Sequence, residues 1–354
     1  MPSRFVFFLR AAILSALVLQ SGCGAAPPLV SLPEFLIVVN DNATGAGLVE
    51  YTLPLVSGQA PFTTLPSQGT YLGGFSDGIT LFVFGEGAVN APTLWRYSLP
   101  LSTSPAPATL GGLGGIPVGA TPLAGGSIVV FLEKNTASNT ACLEAYNLSD
   151  LLNTGNGETL APTNSCSSTP IALPAGASSF RTGTVQLSSD GSDLFVEEIY
   201  QTSGGTQETV IQTYSTSTYT LVATMYASTS YPSTITALEG GTESGNVVLL
   251  LPNPSTPGVD FYLVTTLINK SNDGQTISPN YASPISLPMI PTLLTLDNFG
   301  TYLYTAQANG SVSSITSFGL NDVQNGSTAM PTAQTGSGLS LTPSGLVVIV
   351  SSSG

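Results

Sequence analysis

An all-β fold of repeated sheets is what this sequence predicts, and three observations lead there. Gly (38) and Pro (26) interrupt the chain every few residues, and charged side chains make up only 7% of it. Between the interruptions stand short runs rich in Val, Phe, Tyr and Thr, residues that suit a pleated, packed surface better than a helix. Those runs return at a long and nearly regular interval. With 354 residues the chain has ample length to bury a large core.

The N-terminus reads as an address. "MPSRFVFFLRAAILSALVLQSGCG" has a basic start, an apolar stretch over residues 11–19, and small residues before Cys23. Arg10 leaves the apolar run shorter than the roughly 20 residues a membrane-crossing helix needs, so residues 1–22 are expected to be a secretory signal. "LQSGCG" resembles the lipobox of bacterial lipoproteins, which implies a lipid on Cys23. Gln20 departs from that pattern where Leu is usual, and Leu19 stands one place early. Gly24, in place of the Asp of inner-membrane retention, points to the outer membrane or cell surface. The only membrane contact expected is the lipid anchor. Residues 23–34 are expected to be a tether or a first inner strand, and residues 35–354 a single domain.

In that domain seven apolar runs carry the repeat: 35–39 "FLIVV", 80–84 "TLFVF", 127–131 "SIVVF", 193–197 "DLFVE", 246–250 "NVVLL", 301–305 "TYLYT" and 345–349 "GLVVI". Continuous apolar runs of this length suit strands buried on both faces. An aromatic run follows each of the first six, centred on Tyr51, Tyr97, Tyr146, Tyr214, Tyr262 and Phe318. Alternation such as Val49, Tyr51, Leu53 marks these as strands with one more polar face. A third kind of run ends in a polar turn before several buried strands, as in "VQLSSDG" (185–191). Units of about 40–50 residues with four strands each are the signature of β-propeller blades. Seven blades are expected, with six as the alternative if the C-terminus closes the first sheet. The longest interval, holding Cys142 and Cys166, is expected to be an extended loop or outer strand that decorates the surface.

The stretch "LDNFGTYLYTAQANGSVSSITSFGL" (296–320) resembles the YVTN-type repeat of bacterial surface and lactonase-like β-propellers. "LSSDGSDLFVEE" (187–198) and "LTPSGLVVIVSSSG" (341–354) match its first half. The resemblance covers structural positions, so it implies the fold and leaves the activity open.

Charge and missing residue types narrow the chemistry. The net charge is −14, and Arg96, Lys134, Arg181 and Lys270 are the only cations beyond residue 10. Such a surface repels phosphate backbones, so nucleic acid is not an expected partner. No His is present, which removes Ser–His–Asp and Cys–His catalysis and zinc's usual imidazole. Sparse charge without His also suits an acidic exterior. "GGLGG" (111–115) lacks the strand–GxGxxG–helix setting of a phosphate cradle and reads as a loop. Asp190 and Asp193 are calcium candidates set against ordinary turn chemistry, and Glu197 and Glu198 could offer oxygens to the same ion or read as a solvated strand end. Beyond that calcium, no cofactor is expected. Trp95, the only Trp, is the candidate to line a ligand surface. Cys142 and Cys166 are either a disulfide, expected in an oxidising compartment, or two buried thiols. The function expected is a lipid-anchored binding or scaffolding module for a protein, glycan or small molecule. The alternative is a lactonase-like or other carboxylate-dependent hydrolase.

Overall fold

The computed structural model describes residues 34–39, 46–52, 62–77, 79–104, 106–123, 125–135, 138–188, 191–227, 236–243, 246–252, 259–278, 293–296, 302–309, 312–319, 334–337 and 346–351. These form six sheets, antiparallel but for one short parallel strand, and every one of the seven apolar runs falls on a strand. The first sheet holds β1 (Glu34–Val39), β2 (Ala46–Thr52) and β3 (Thr63–Pro66), with β24 (Leu346–Ser351) beside β1. The second holds β4 (Thr70–Ser76), β5 (Thr80–Glu86), β6 (Pro92–Ser98) and β7 (Ala108–Leu110). The third holds β8 (Ile116–Pro122), β9 (Ile128–Asn135), β10 (Thr140–Asn147) and β11 (Pro170–Ile171). The fourth runs β12 (Ala177–Leu187), β13 (Asp193–Thr202), β14 (Gln207–Ser215) and β15 (Leu221–Ala227), with β19 (Thr276–Ile277) added in parallel. The fifth contains β16 (Thr236–Glu243), β17 (Asn246–Pro252) and β18 (Val259–Leu263). The sixth contains β20 (Leu293–Leu296), β21 (Tyr302–Asn309), β22 (Val312–Gly319) and β23 (Gln334–Ser337).

The described residues thus make six sheets, one fewer than the seven expected. The difference lies in the last apolar run. It does not open a new unit, because β24 pairs with β1 from Glu34↔Ser351 to Val39↔Leu346. The first strands of the sheets lie side by side: β4 beside β8 and β24, β12 beside β8 and β16, β20 beside β16 and β24.

Side-chain alternation explains why the second strands carry continuous apolar runs. On β5, Leu81 and Val83 enter the seam toward the first sheet, while Phe82 and Phe84 enter the seam toward the third. On β9, Val129 and Phe131 face the second sheet, and Val130 and Leu132 face the fourth. A strand clamped between two neighbours has no face left for water, so both parities must be apolar. Tyr51, Tyr97, Tyr146, Tyr214 and Tyr262 are all buried, as packing between sheets requires. Phe318 lies where its surroundings fall outside the described residues.

The long interval after β10 is not decoration. It is a clasp that crosses to the preceding sheet. Helix α1 (Leu148–Asn153) places Leu151, fully buried, in the seam between the second and third sheets. The Arg96 guanidinium on β6 donates to the Leu151, Leu152 and Thr154 carbonyls. The chain then runs along the edge strand β7. Asn156 Oδ1 accepts from Thr109 N–H at 2.8 Å, Gly157 N–H donates to the Thr109 carbonyl at 2.7 Å, and Thr159 bridges Gly111 in parallel. The same arrangement recurs after β18. Helix α2 (Val264–Leu267) buries Leu267, Asp273 Oδ1 accepts from Thr224 N–H, Gly274 N–H donates to the Thr224 carbonyl, and Thr276 pairs with Tyr226. The two copies read "NGETL" (156–160) and "DGQTI" (273–277). Gly157 and Gly274 sit at φ +78° and +74°, where a side chain would be strained. Both edges are thereby covered rather than left open to foreign strands.

One turn is strained. Val89 and Asn90, between β5 and β6, have φ of 56° and 59°, and Val89 is 98% exposed. Two consecutive positive φ values mark a type I′ hairpin, for which Asn-Gly is the favoured pair and a β-branched residue is not. Replacing Val89 by Asn and Asn90 by Gly together should raise the unfolding free energy by about 1 kcal/mol. A denaturant melt checks this.

Candidate functional site

The most concentrated chemistry in the described residues is a group of carboxyls hidden between sheets. Glu133 and Cys142 are cross-strand partners on β9 and β10, and Glu144 and Tyr146 follow on the same face of β10. All four therefore enter the seam toward the second sheet, where Glu133 is 0% and Glu144 3% exposed. The Gly111–Gly115 loop closes over them. Gly114 N–H donates to Glu144 Oε2 at 2.8 Å, and Gly115 N–H to Glu133 Oε2 at 2.6 Å. Tyr146 donates its hydroxyl to Glu144 Oε2 at 2.6 Å, and Cys166 N–H reaches Glu144 Oε1 at 3.3 Å. A Cβ on Gly114 would lie 3.1 Å from Glu144 Oε1 and 3.3 Å from the Cys166 Cβ, a close fit that any larger residue would have to push apart. The stretch "GGLGG" is the expected loop before a strand, and its backbone N–H groups cap two internal carboxyls.

Burial, followed by the neighbouring Glu144, holds the Glu133 carboxyl well above the ordinary carboxylate range. Glu133 Oε1 has no donor, and the Glu144 carboxyl stands on the same face, the two Oε2 atoms capped by the consecutive N–H groups of Gly115 and Gly114. A protonated Glu133 relieves the site, because it removes one of two neighbouring charges and carries a proton that Glu144 can accept. Burial and the adjacent carboxyl also push the Tyr146 phenol upward, which keeps it a donor.

Cys142 and Cys166 form a disulfide, with Cα atoms 5.1 Å apart, which ties the returning chain to β10. A Glu133 oxygen lies within 4.8 Å of both sulfurs. With the sulfurs bonded to each other neither is a thiolate, so the trio is not a metal centre in this state.

Other seams carry buried carboxyls too. Glu50 lies between the first and second sheets, where Leu101 N–H reaches its two oxygens at 3.2 and 3.3 Å; burial raises its carboxyl. Glu198 shares a face of β13 with Leu194 and Val196, in the seam of the third and fourth sheets. It is 1% exposed, its Oε1 has no donor, and burial pushes its carboxyl up to about 8. Glu197, 0% exposed, points to the opposite seam with Phe195. The expectation of a solvated strand end for Glu197 and Glu198 is therefore wrong: they stand mid-strand on β13, opposite Thr184 and Gly183.

The remaining sequence candidates are placed as follows. Trp95 is 2% exposed and meets Tyr71 edge-on at 5.0 Å, so it is a packing residue of the first seam and not the lining of a ligand surface. Asp193 opens β13, and its carboxylate accepts from the Ser192 hydroxyl at 2.8 Å while its N–H donates to Ser188 Oγ at 2.9 Å. Those are turn bonds. Asp190 and Cys23 lie outside the described residues. Among the described residues no helix is long and apolar enough to cross a membrane.

Sequence reasoning missed Glu133 and Glu144 as a pair. The available signal was a lone Glu inside an apolar strand, in "VFLEKN" and "ACLEAY". No protein-family model and no curated protein matches this chain. Solved structures do. The β-propeller of a nidogen/laminin complex is 12% identical with a TM-score of 0.50, over 90% of this chain and 99% of that one. A chain of Kuenenia stuttgartiensis hydrazine synthase is 13% identical with a TM-score of 0.47, over 86% and 82%. A putative TolB from Agrobacterium tumefaciens is 10% identical with a TM-score of 0.43, over 90% and 98%. The first of these likenesses gives the fold, an all-β architecture of the β-propeller type.

Proposed function

We propose that this chain is an exported, lipid-anchored binding or scaffolding module whose six sheets are the blades of a closed β-propeller. Support for closure comes from the neighbouring first strands and from β24, which joins the C-terminal run to the first sheet. The observation that carries the binding reading is where the two kinds of polar group go. Glu50, Glu133, Glu144, Glu197 and Glu198 are turned into seams. The connecting loops instead present paired hydroxyls: Ser138 with Thr140, Ser165 with Ser167, Ser215 with Ser217, and Thr218 with Thr220. Neutral hydroxyls recognise amides and sugars and do not split bonds unaided. The ligand classes that fit are a protein segment, a glycan or a small polar molecule. The anchor is Cys23, at the outer membrane or cell surface.

Palmitate labelling is expected to mark the wild-type protein and to fail with Cys23→Ala; an unlabelled wild type overturns the anchor. Lactone and ester panels, with calcium or with chelator, are expected to give background hydrolysis only. Turnover that disappears in Glu133→Gln or Glu144→Gln would establish the hydrolase reading instead.

A further inference from the structure

We propose that Glu133 and Glu144 form a proton latch: one shared proton keeps the Gly111–Gly115 loop docked on the third sheet, and its loss in alkali releases that loop. Both carboxyls sit on one face of adjacent strands in a seam that admits almost no water. While Glu133 is protonated, its proton is available to the neighbouring Glu144 and only one of the two carboxyls is charged. Glu133 accepts from Gly115 N–H, and Glu144 accepts from Gly114 N–H, Tyr146 and Cys166 N–H. Without the proton, two carboxylates face each other in a dry seam, and like charges at this range cannot both stay there.

The surrounding charges offer no rescue. From β10 the facing titratable group is Tyr146, a neutral phenol. Cys142 and Cys166 are disulfide-bonded. From β6, Arg96 is committed to the carbonyls after α1. In the returning segment, Asp150 accepts from Asn147, and Glu158 accepts from Gly155 N–H. β8 carries no ionisable residue, and Lys134 belongs to the opposite parity of β9. The Gly111–Gly115 loop meets the carboxyls through backbone alone; Gly111 is fixed to the returning segment and Leu113 sits in the core, so Gly114 and Gly115 are the positions held by the carboxyls themselves. They are the positions that give way. Gly114 is already exposed, so lifting the loop brings water directly to Glu144.

The sign follows from the Glu133 shift. A carboxyl raised in the folded state favours the docked loop fully below its unfolded value near 4.5, and loses that contribution as pH rises through its folded value.

The test is hydrogen exchange by mass spectrometry on the intact, disulfide-bonded chain at pH 5 and pH 8.5, with labelling times scaled to the intrinsic rates. Exchange of the peptide covering Gly111–Gly115 should accelerate at least tenfold at the higher pH, with the β5 peptide unchanged. Glu133→Gln keeps an amide donor toward Glu144 at every pH, so its loop peptide should remain protected. If that variant does not fold by circular dichroism, Glu144→Gln, which removes the charge pair from the other side, carries the same expectation. Equal loop exchange at both pH values in the wild type overturns the latch. So does an acceleration shared by β5, or one that survives in the folded variant.

Discussion

Replacing Glu198 by Gln should raise the thermal midpoint at pH 8 and leave it nearly unchanged at pH 4. Glu198 is 1% exposed, and desolvation pushes its carboxyl up to about 8. In the unfolded chain it ionises near 4.5. Below that value both states bind the proton and the carboxyl costs no more than a neutral polar group. Between about 4.5 and 8 the unfolded state releases its proton while the folded state holds it, so stability falls as pH rises. Across this window of about 3.5 pH units the loss is about 4 kcal/mol by pH 8. Gln cannot ionise, so the variant escapes that loss. The measurement is a set of thermal melts from pH 4 to pH 8 on both proteins. A wild-type-minus-variant difference that does not change with pH would show that Glu198 is ionised in the fold, and the burial argument would fail with it.

The direction of this effect bears on the acidic-exterior expectation. Glu50 and Glu133 are raised for the same leading reason, burial, and therefore lean the same way. A chain that hides carboxyls in several seams is most stable where they are neutral. Near neutrality it gives up part of that stability, and with no His in the sequence no imidazole titration works against the trend.

What the sequence revealed and what it hid divide along physical lines. Runs such as "TLFVF" were legible because a strand between two sheets must be apolar at both parities, and nothing else in the chain looks like that. The recurring Tyr was legible for a related reason, since seams of similar width call for a side chain of similar size. The count of sheets was not, because β24 has the composition of a second strand but is used as the partner that completes the first sheet. Glu197 and Glu198 were misplaced because a charged pair after "LFV" looks like a strand ending. The ladder instead continues to Gln201 against Gln207, supported by flanking Ile199 and Tyr200. Trp95 looked exceptional by being single, although its place beside Tyr97 on a strand already suited packing. Gly69 explains the fit, since a Cβ there would lie 2.8 Å from the indole ring.

The clasp was hidden in a different way, and it carries the second large effect. Its two copies lie more than a hundred residues apart, "YNLSDLLN" with "NGETL" and "YLVTTLIN" with "DGQTI", separated by the unit of the fourth sheet, which lacks it. In each, the Leu five residues after the strand's Tyr enters the seam: Leu151 after Tyr146, and Leu267 after Tyr262, both 0% exposed. In the second copy the next residue stays outside, with Ile268 36% exposed, whereas Leu152 in the first is half-buried against the cluster. Leu267→Ala should therefore cost about 3 kcal/mol, the usual result of emptying a rigid, fully packed site, whereas Ile268→Ala should cost well under 1 kcal/mol. Leu267 also offers its carbonyl to the Thr213 hydroxyl at 3.0 Å, so the Ala variant keeps that bond and the loss reports packing alone. Leu151→Ala should behave alike, since Phe82, Phe131 and Leu160 share its cluster. Equal costs for Leu267→Ala and Ile268→Ala would mean that the segment rests on the surface of the preceding sheet. The contrast in cost, read from paired denaturant melts, is what separates a clasp from a loop.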